Sequence, residues 1–346
     1  MKRRKIVHVI DYGGPTGGSF IPSLTSLARA VRERGDSFVV LATEIPGATW
    51  PRELEENGAE VRFVSSGQDV SDCLRDLHPE IVHSHFGRFD LAAARARSSR
   101  VFWHVHSYPA NPSVAVKLRN LVKYRFLGMG VRALVAVSDV TRRYCIARGA
   151  PRNRVRVVYN GVDTERFRPP TQHERASARE AFGIAPDDRV ILFFERVPYK
   201  GGAVLNAALQ RLPECRVLVA GGSAADRARF GAAPRVIQVE RAADARRLHW
   251  AADALAFPSS YEAFGYVLAE ALACGLPVAA SDIPIVNDIA AGIETVFTFP
   301  VGNVEALGEA LKKALAAVPT TSGRERIVER FSLHRWTADM LALYDG

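Results

Sequence analysis

The most informative chemistry in the sequence is a pair of carboxylates, Glu262 and Glu270, with seven residues between them, within Pro258–Val278. An apolar run ends at Phe257, a polar turn follows, and a helical pattern opens near Ala263, Phe264 and Gly265. Such a junction aims unpaired backbone N–H groups and the positive end of a helix at the space beyond the strand, which makes an anion site. Glu270 then falls about two turns, or roughly 12 Å, further along the helix. Two carboxylates so spaced can hold hydroxyls at both ends of a ligand, a sugar and a ribose, with a diphosphate between them. The bland alternative makes Glu262 a partner of the helix dipole and Glu270 a surface residue.

Histidines also recur with strand spacing: His83 and His85 in one apolar run, His104 and His106 in another. Alternate positions share a face of a strand. The two pairs invite a zinc reading, but no His-Glu-x-x-His helix accompanies them, so no metal is expected. Cys73, Cys145, Cys215 and Cys274 lack Cys-x-x-Cys spacing and suggest neither zinc nor a disulfide framework, which fits a reducing cytoplasm.

The elements that position these residues follow from an alternation of short apolar runs and amphipathic stretches, the pattern of parallel sheets wound with helices. Ile6–Ile10 reads as a buried strand, Gly13–Gly18 as a glycine-rich loop, and Leu24, Leu27, Ala28 and Val31 as one face of a helix ended by Gly35. Strands are expected at 38–42, 61–64, 81–82, 101–105 and 134–137, with a helix at Val116–Phe126. Asn160–Asp163, Pro169-Pro170 and the polar Thr171–Glu180 read as turn and linker. The grammar then restarts, with strands at 190–194, 217–220, 236–239, 254–257 and 277–280. Helices are expected at 204–212, 244–252, 264–273 and 304–317, followed by a helical tail at 324–344 interrupted near Phe331. The expected architecture is α/β, with two Rossmann-like doubly wound lobes at 1–165 and 166–330. A terminal helix, 331–346, crosses back to the first lobe, and the site lies in a cleft at the carboxyl ends of the strands.

A length of 346 residues suits two such domains, and 48% hydrophobic with 24% charged residues excludes a disordered or membrane-spanning chain. The basic start followed by Ile6–Ile10 resembles a signal peptide, but the apolar run stops at Asp11 and is read as a strand. The net charge of +9 is uneven: residues 1–165 carry 25 Lys+Arg against 16 Asp+Glu, and residues 166–346 carry 21 against 21. Within 88–156 the only carboxylates are Asp90 and Asp139. This basic half suits an anionic acceptor or lipid headgroups, with Lys117, Arg119, Lys123 and Arg125 sharing one helix with apolar residues. No recognition motif accompanies the charge, so nucleic acid is not expected as a partner.

Taken together, ordered segments along nearly the whole chain resemble family 4 of the retaining glycosyltransferases, which have the two-Rossmann-domain GT-B fold. Glu262–Pro277 resembles the family's Glu-x7-Glu signature, Val158–Phe167 its interdomain segment, and Phe194–Gly201 its Gly-Arg-Leu…Lys-Gly segment. The resemblance implies transfer of a sugar, with retention and without metal or cofactor, from a UDP- or GDP-sugar donor to an acceptor hydroxyl. The acceptor, whether a sugar, a lipid-linked carrier or a small molecule, is not identified; glycoconjugate, polysaccharide and natural-product synthesis all fit. It assigns Arg196 and Lys200 to the donor diphosphate, Glu270 to the ribose, and Glu262 with Ala263, Phe264 and Gly265 to the transferred sugar and its phosphates. Gly17 and Gly18 would let backbone approach donor phosphate and acceptor, His106 would stand near the reacting sugar, and His85 near the cleft. The chain departs from the pattern at Glu195, where glycine is usual and a carboxylate could pair with Arg196 or Lys200. It also departs in a Lys200 one residue closer to Arg196, and in Asn287-Asp288 where Pro-Glu is usual. The rival readings are a sugar-nucleotide epimerase on the same scaffold and a non-catalytic nucleotide-sugar-binding partner subunit. A peripheral contact with the inner face of an anionic membrane is the further expectation.

Overall fold

Strands made almost wholly of apolar residues must be covered on both faces, and this chain builds two parallel sheets of that kind flanked by helices. The computed structural model describes residues 3–96, 100–109, 112–195, 197–223, 225–226, 230, 235–240, 242 and 244–346, with only the backbone of Leu127 and Met129. Among these, the chain divides into two compact units, one running to Gly161 and resuming at Leu333–Gly346, the other Val162–Ser332.

In the first unit, β1 (Lys5–Ile10), β2 (Ser37–Ala42), β3 (Ala59–Phe63), β4 (Ile81–His85), β5 (Arg100–Val105), β6 (Ala133–Ala136) and β7 (Val155–Val157) lie in the order 3-2-1-4-5-6-7, all parallel. The strand order reverses between β1 and β4, so the loops after these two strands part and leave a crevice where such sheets bind ligands. The helix Ile21–Glu33 covers one face through Ile21, Leu24, Leu27, Ala28 and Val31. The terminal helix Leu333–Asp345 completes the same core with Trp336, Met340, Leu341 and Tyr344, each of them buried.

In the second unit, β8 (Arg189–Phe194), β9 (Cys215–Ala220), β10 (Val236–Val239), β11 (Ala254–Phe257), β12 (Val278–Ser281) and β13 (Val296–Phe299) lie in the order 10-9-8-11-12-13, again parallel. Here the reversal falls between β8 and β11.

Several sequence expectations are corrected. The polar segment Thr171–Glu180, read as a linker, becomes the helix Gln172–Ala181. Its apolar face is too small to show a periodicity; a Thr171–Glu174 capping box starts it, and Arg179 anchors it to the carbonyls of Ala185 and Ala251. The helix expected from Phe264 begins at Tyr266, because Gly265 takes φ +87° and cannot belong to the first turn. The helix expected at 204–212 runs from Gly202 to Ala208 and tightens into a 3-10 turn at Leu209–Arg211.

Candidate active site

The loops after β8 and β11 are tied together at the carboxyl end of the second sheet. Lys200, at the end of a 3-10 turn after β8, forms an ion pair with Glu262 from the turn after β11. Ser259 Oγ donates to the same carboxylate oxygen at 3.0 Å, and Ser260 N donates to the Tyr199 carbonyl at 2.8 Å. The Tyr199 and Tyr261 rings pack 4.3 Å apart, and Lys200 Nζ lies 5.7 Å over the Phe257 ring. Both charged side chains are mostly buried, which strengthens the attraction by removing water.

Ala263, Phe264 and Gly265 lead from this pair into the helix Tyr266–Ala273, and Gly265 has no side chain with which to cap it. Glu270 lies on that helix, 5% exposed, with Oε2 3.8 Å from Nε2 of the buried His249. Glu262 lies in the turn and Glu270 on the helix, as expected, but the later start at Tyr266 leaves Glu270 about one turn along the helix rather than two. Arg196 lies outside the described residues. Glu195 does not pair with Lys200, which is engaged with Glu262; its side chain is buried against Gly202 and Gly222. A methyl group at Gly202 would collide with its carboxylate, so the carboxylate here depends on a glycine that the segment supplies.

In the first unit, Gly17 and Gly18 lie in the loop between β1 and the first helix, four and three residues before Ile21 rather than in its first turn. The Gly17 carbonyl accepts from Ile21 N, and Gly18 has φ +50°. A side chain at Gly18 would be strained and would strike the Tyr12 hydroxyl, whose ring packs beside Phe20 and Phe86. Phe86, just past β4, also has φ +64°, a costly backbone for an aromatic residue. Its ring stacks on His106 with centroids 4.4 Å apart.

His106 follows β5 and is partly exposed, whereas His104 lies within the strand and is buried, so the structure separates two residues of equal sequence parity. His85 is buried rather than open to a crevice: its Nδ1 is 2.8 Å from His106 Nε2 and its Nε2 is 2.9 Å from His8 Nδ1. His8, on β1, and Tyr344 are additions that the sequence reading did not make. The signal available was a histidine inside the buried run Ile6–Ile10, on the strand that pairs with β4, which carries His83 and His85. Burial holds His8 and His106 down to about 3, and burial with the neighbouring rings holds His83, His85 and His104 well below the usual imidazole value. The imidazoles are therefore neutral near pH 7. His8, His83 and His85, and likewise His85, His104 and His106, bring three ring nitrogens within 4.8 Å of one another and could each offer a metal three ligand atoms.

The helix Val114–Arg125 buries only Asn120 and Tyr124 and exposes Val114, Leu118, Leu121 and Val122, with exposed Phe126 capping its end. Its apolar residues thus do not face the core. Lys123 turns inward to Asp90 at 2.5 Å and leaves the outer basic set expected for this helix, in which Lys117 and Arg119 remain exposed. Among the described residues no helix is long and apolar enough to cross a membrane.

Residues 23–166 match the profile of Glycosyltransferase Family 4, and residues 188–317 that of Glycosyl transferases group 1. A D-inositol 3-phosphate glycosyltransferase of Mycobacterium tuberculosis is 32% identical over 231 residues, 59% of this chain and 47% of that protein. The match thus spans about half the length of that relative. Among solved structures, a glycosyltransferase of Rickettsia africae superposes with TM-score 0.84 at 17% identity, covering 99% of this chain and 98% of that one. Anabaena HepE, solved with UDP and glucose, gives 0.82 at 21%, covering 99% and 100%. With the Glycosyltransferase Family 4 model matching the first half and the Glycosyl transferases group 1 model the second, the chain belongs to the family 4 glycosyltransferases, and it shares the fold of the solved glycosyltransferases along its length.

Proposed function

We propose that the protein transfers a sugar from a nucleotide diphosphate donor, UDP- or GDP-linked, to an acceptor hydroxyl with retention and without a metal ion. The observation that carries this reading is the meeting of Lys200 and Glu262 at the β8–β11 reversal, beside the uncapped helix that bears Glu270. In this reading the donor separates the ion pair. Lys200, with Arg196, turns to the diphosphate, Glu262 accepts from hydroxyls of the sugar, and Glu270 accepts from the ribose. Backbone N–H groups at the start of the helix add positive potential where the leaving group gains charge. The bond from the anomeric carbon to the diphosphate oxygen breaks, the acceptor oxygen bonds on the same face, and its proton passes to the departing phosphate.

The acceptor in this reading is phosphate-bearing. Support comes from the charge excess of the first half and from the name of the mycobacterial relative. The exposed apolar face of Val114–Arg125, flanked by Lys117 and Arg119, supports peripheral contact with an anionic membrane on its cytoplasmic side. A thermal-shift screen over UDP, GDP and their sugars tests the donor half, since a ligand bound only by the native state raises the melting temperature. No shift with any of them would overturn the reading.

A further inference from the structure

Five imidazoles and one phenol in the first unit form a single file of hydrogen bonds. His104 Nδ1 meets His83 Nε2 at 3.2 Å, and His83 Nδ1 meets the Tyr344 hydroxyl at 2.7 Å. The hydroxyl meets His8 Nε2 at 2.8 Å, His8 Nδ1 meets His85 Nε2 at 2.9 Å, and His85 Nδ1 meets His106 Nε2 at 2.8 Å. The file crosses β5, β4 and β1, takes its one hydroxyl from the terminal helix, and ends at the partly exposed His106.

A neutral imidazole has one N–H and one lone pair, so each imidazole link forces the next; the buried phenol could accept from both His83 and His8 only by stranding its own O–H, so two directions remain in which Tyr344 donates within the file. If every donor points toward His106, that ring accepts at Nε2 and carries its proton on Nδ1. His104 Nε2, which is buried and has no hydrogen-bond partner among the described residues, is then a lone pair. If every donor points the other way, the same atom is an N–H buried with nothing to receive it. Orphaned buried N–H groups are rarer than under-satisfied acceptors, because a stranded donor loses its water without replacement. The first direction therefore wins.

We propose that Tyr344, His83, His8 and His85 are positioning residues that fix the tautomer of His106, so that its ring meets a bound ligand as an Nδ1–H donor to oxygen rather than as a base. The ligand half rests on the proposed nucleotide-sugar site; the tautomer half does not.

Two-bond ¹H–¹⁵N correlation spectra of the full chain, labelled at histidine, read tautomers directly. His106 is expected with Nδ1 protonated and Nε2 bare; the Nε2–H form in the wild-type spectrum would overturn the proposal without any variant. Tyr344→Phe removes the hydroxyl that links the two halves of the file. It is expected to give His106 a mixture of tautomers and about a tenfold loss in kcat with KM little changed. A His106 signal unchanged in a folded Tyr344→Phe protein would equally overturn it. Titration with UDP-glucose, or GDP-mannose if that is the donor bound, should shift His106 Nδ1. An Nδ1–H tautomer that neither donor moves would refute the site reading while leaving the file in place.

Discussion

Mild acid should unfold the first unit well before it titrates ordinary carboxylates. His8, His83, His85 and His104 are buried, their ring nitrogens engage only one another, His106 and Tyr344 among the described residues, and each is held well below the usual imidazole range by burial. In the unfolded chain the same groups titrate near 6.5. Below that value the unfolded state binds protons that the folded state refuses, so stability falls as pH falls, and is fully present only above the unfolded pKa. Between about pH 7 and about pH 5.5 the loss is roughly 1.3 kcal/mol per imidazole, and four together give roughly 5 kcal/mol. His106, partly exposed, is left out of the sum. A loss of that size equals the lower end of the total stability of an ordinary domain, about 5–15 kcal/mol. Hydrogen–deuterium exchange of peptides covering β1, β4 and β5, measured in urea at several pH values, reads this unit separately from the other. Protection that changes by less than about 1.5 kcal/mol over this interval would show that the histidines are protonated in the fold, and the argument from burial would fail.

Glu270→Ala should weaken nucleotide binding by roughly 1.5–3 kcal/mol, the worth of hydrogen bonds to a charged acceptor, and calorimetry with UDP and GDP checks it; unchanged affinity would end the ribose assignment. Lys200→Ala should lower kcat by about 10² or more with a smaller change in KM, because charge grows on the leaving diphosphate; normal steady-state turnover would place this lysine outside the chemistry. Sedimentation with anionic vesicles at low salt should carry the wild type down and leave Leu118→Glu/Phe126→Glu in solution, with neutral vesicles binding neither. Equal recovery of both proteins in the supernatant would leave the exposed face of Val114–Arg125 without a membrane role.

The sheets and the order of motifs were legible because strands buried on both faces write continuous apolar runs, and because Glu262 and Glu270 sit where one strand hands over to a helix. The helix Gln172–Ala181 was not, since it is held by a capping box and arginine-to-carbonyl bonds rather than an apolar stripe. Nor was the ion pair of Lys200 with Glu262: their 62-residue separation closes only when β8 and β11 become neighbours. The histidine file needed three strands in register and a hydroxyl from the far end of the chain, so a lone histidine in the first strand carried too little signal. Burial of Glu195 depended on the loops after β8 and β9 converging, which spacing does not encode.

The central claim is retaining transfer by side chains and helix dipole alone. Its most direct measurement is ¹H NMR of the product formed from UDP-glucose, or the donor the thermal screen selects, with a phosphate-bearing acceptor that supports turnover and EDTA present throughout. Product is expected at an undiminished rate with the anomeric coupling of the donor. An inverted coupling, or turnover that appears only after manganese is added, would contradict it.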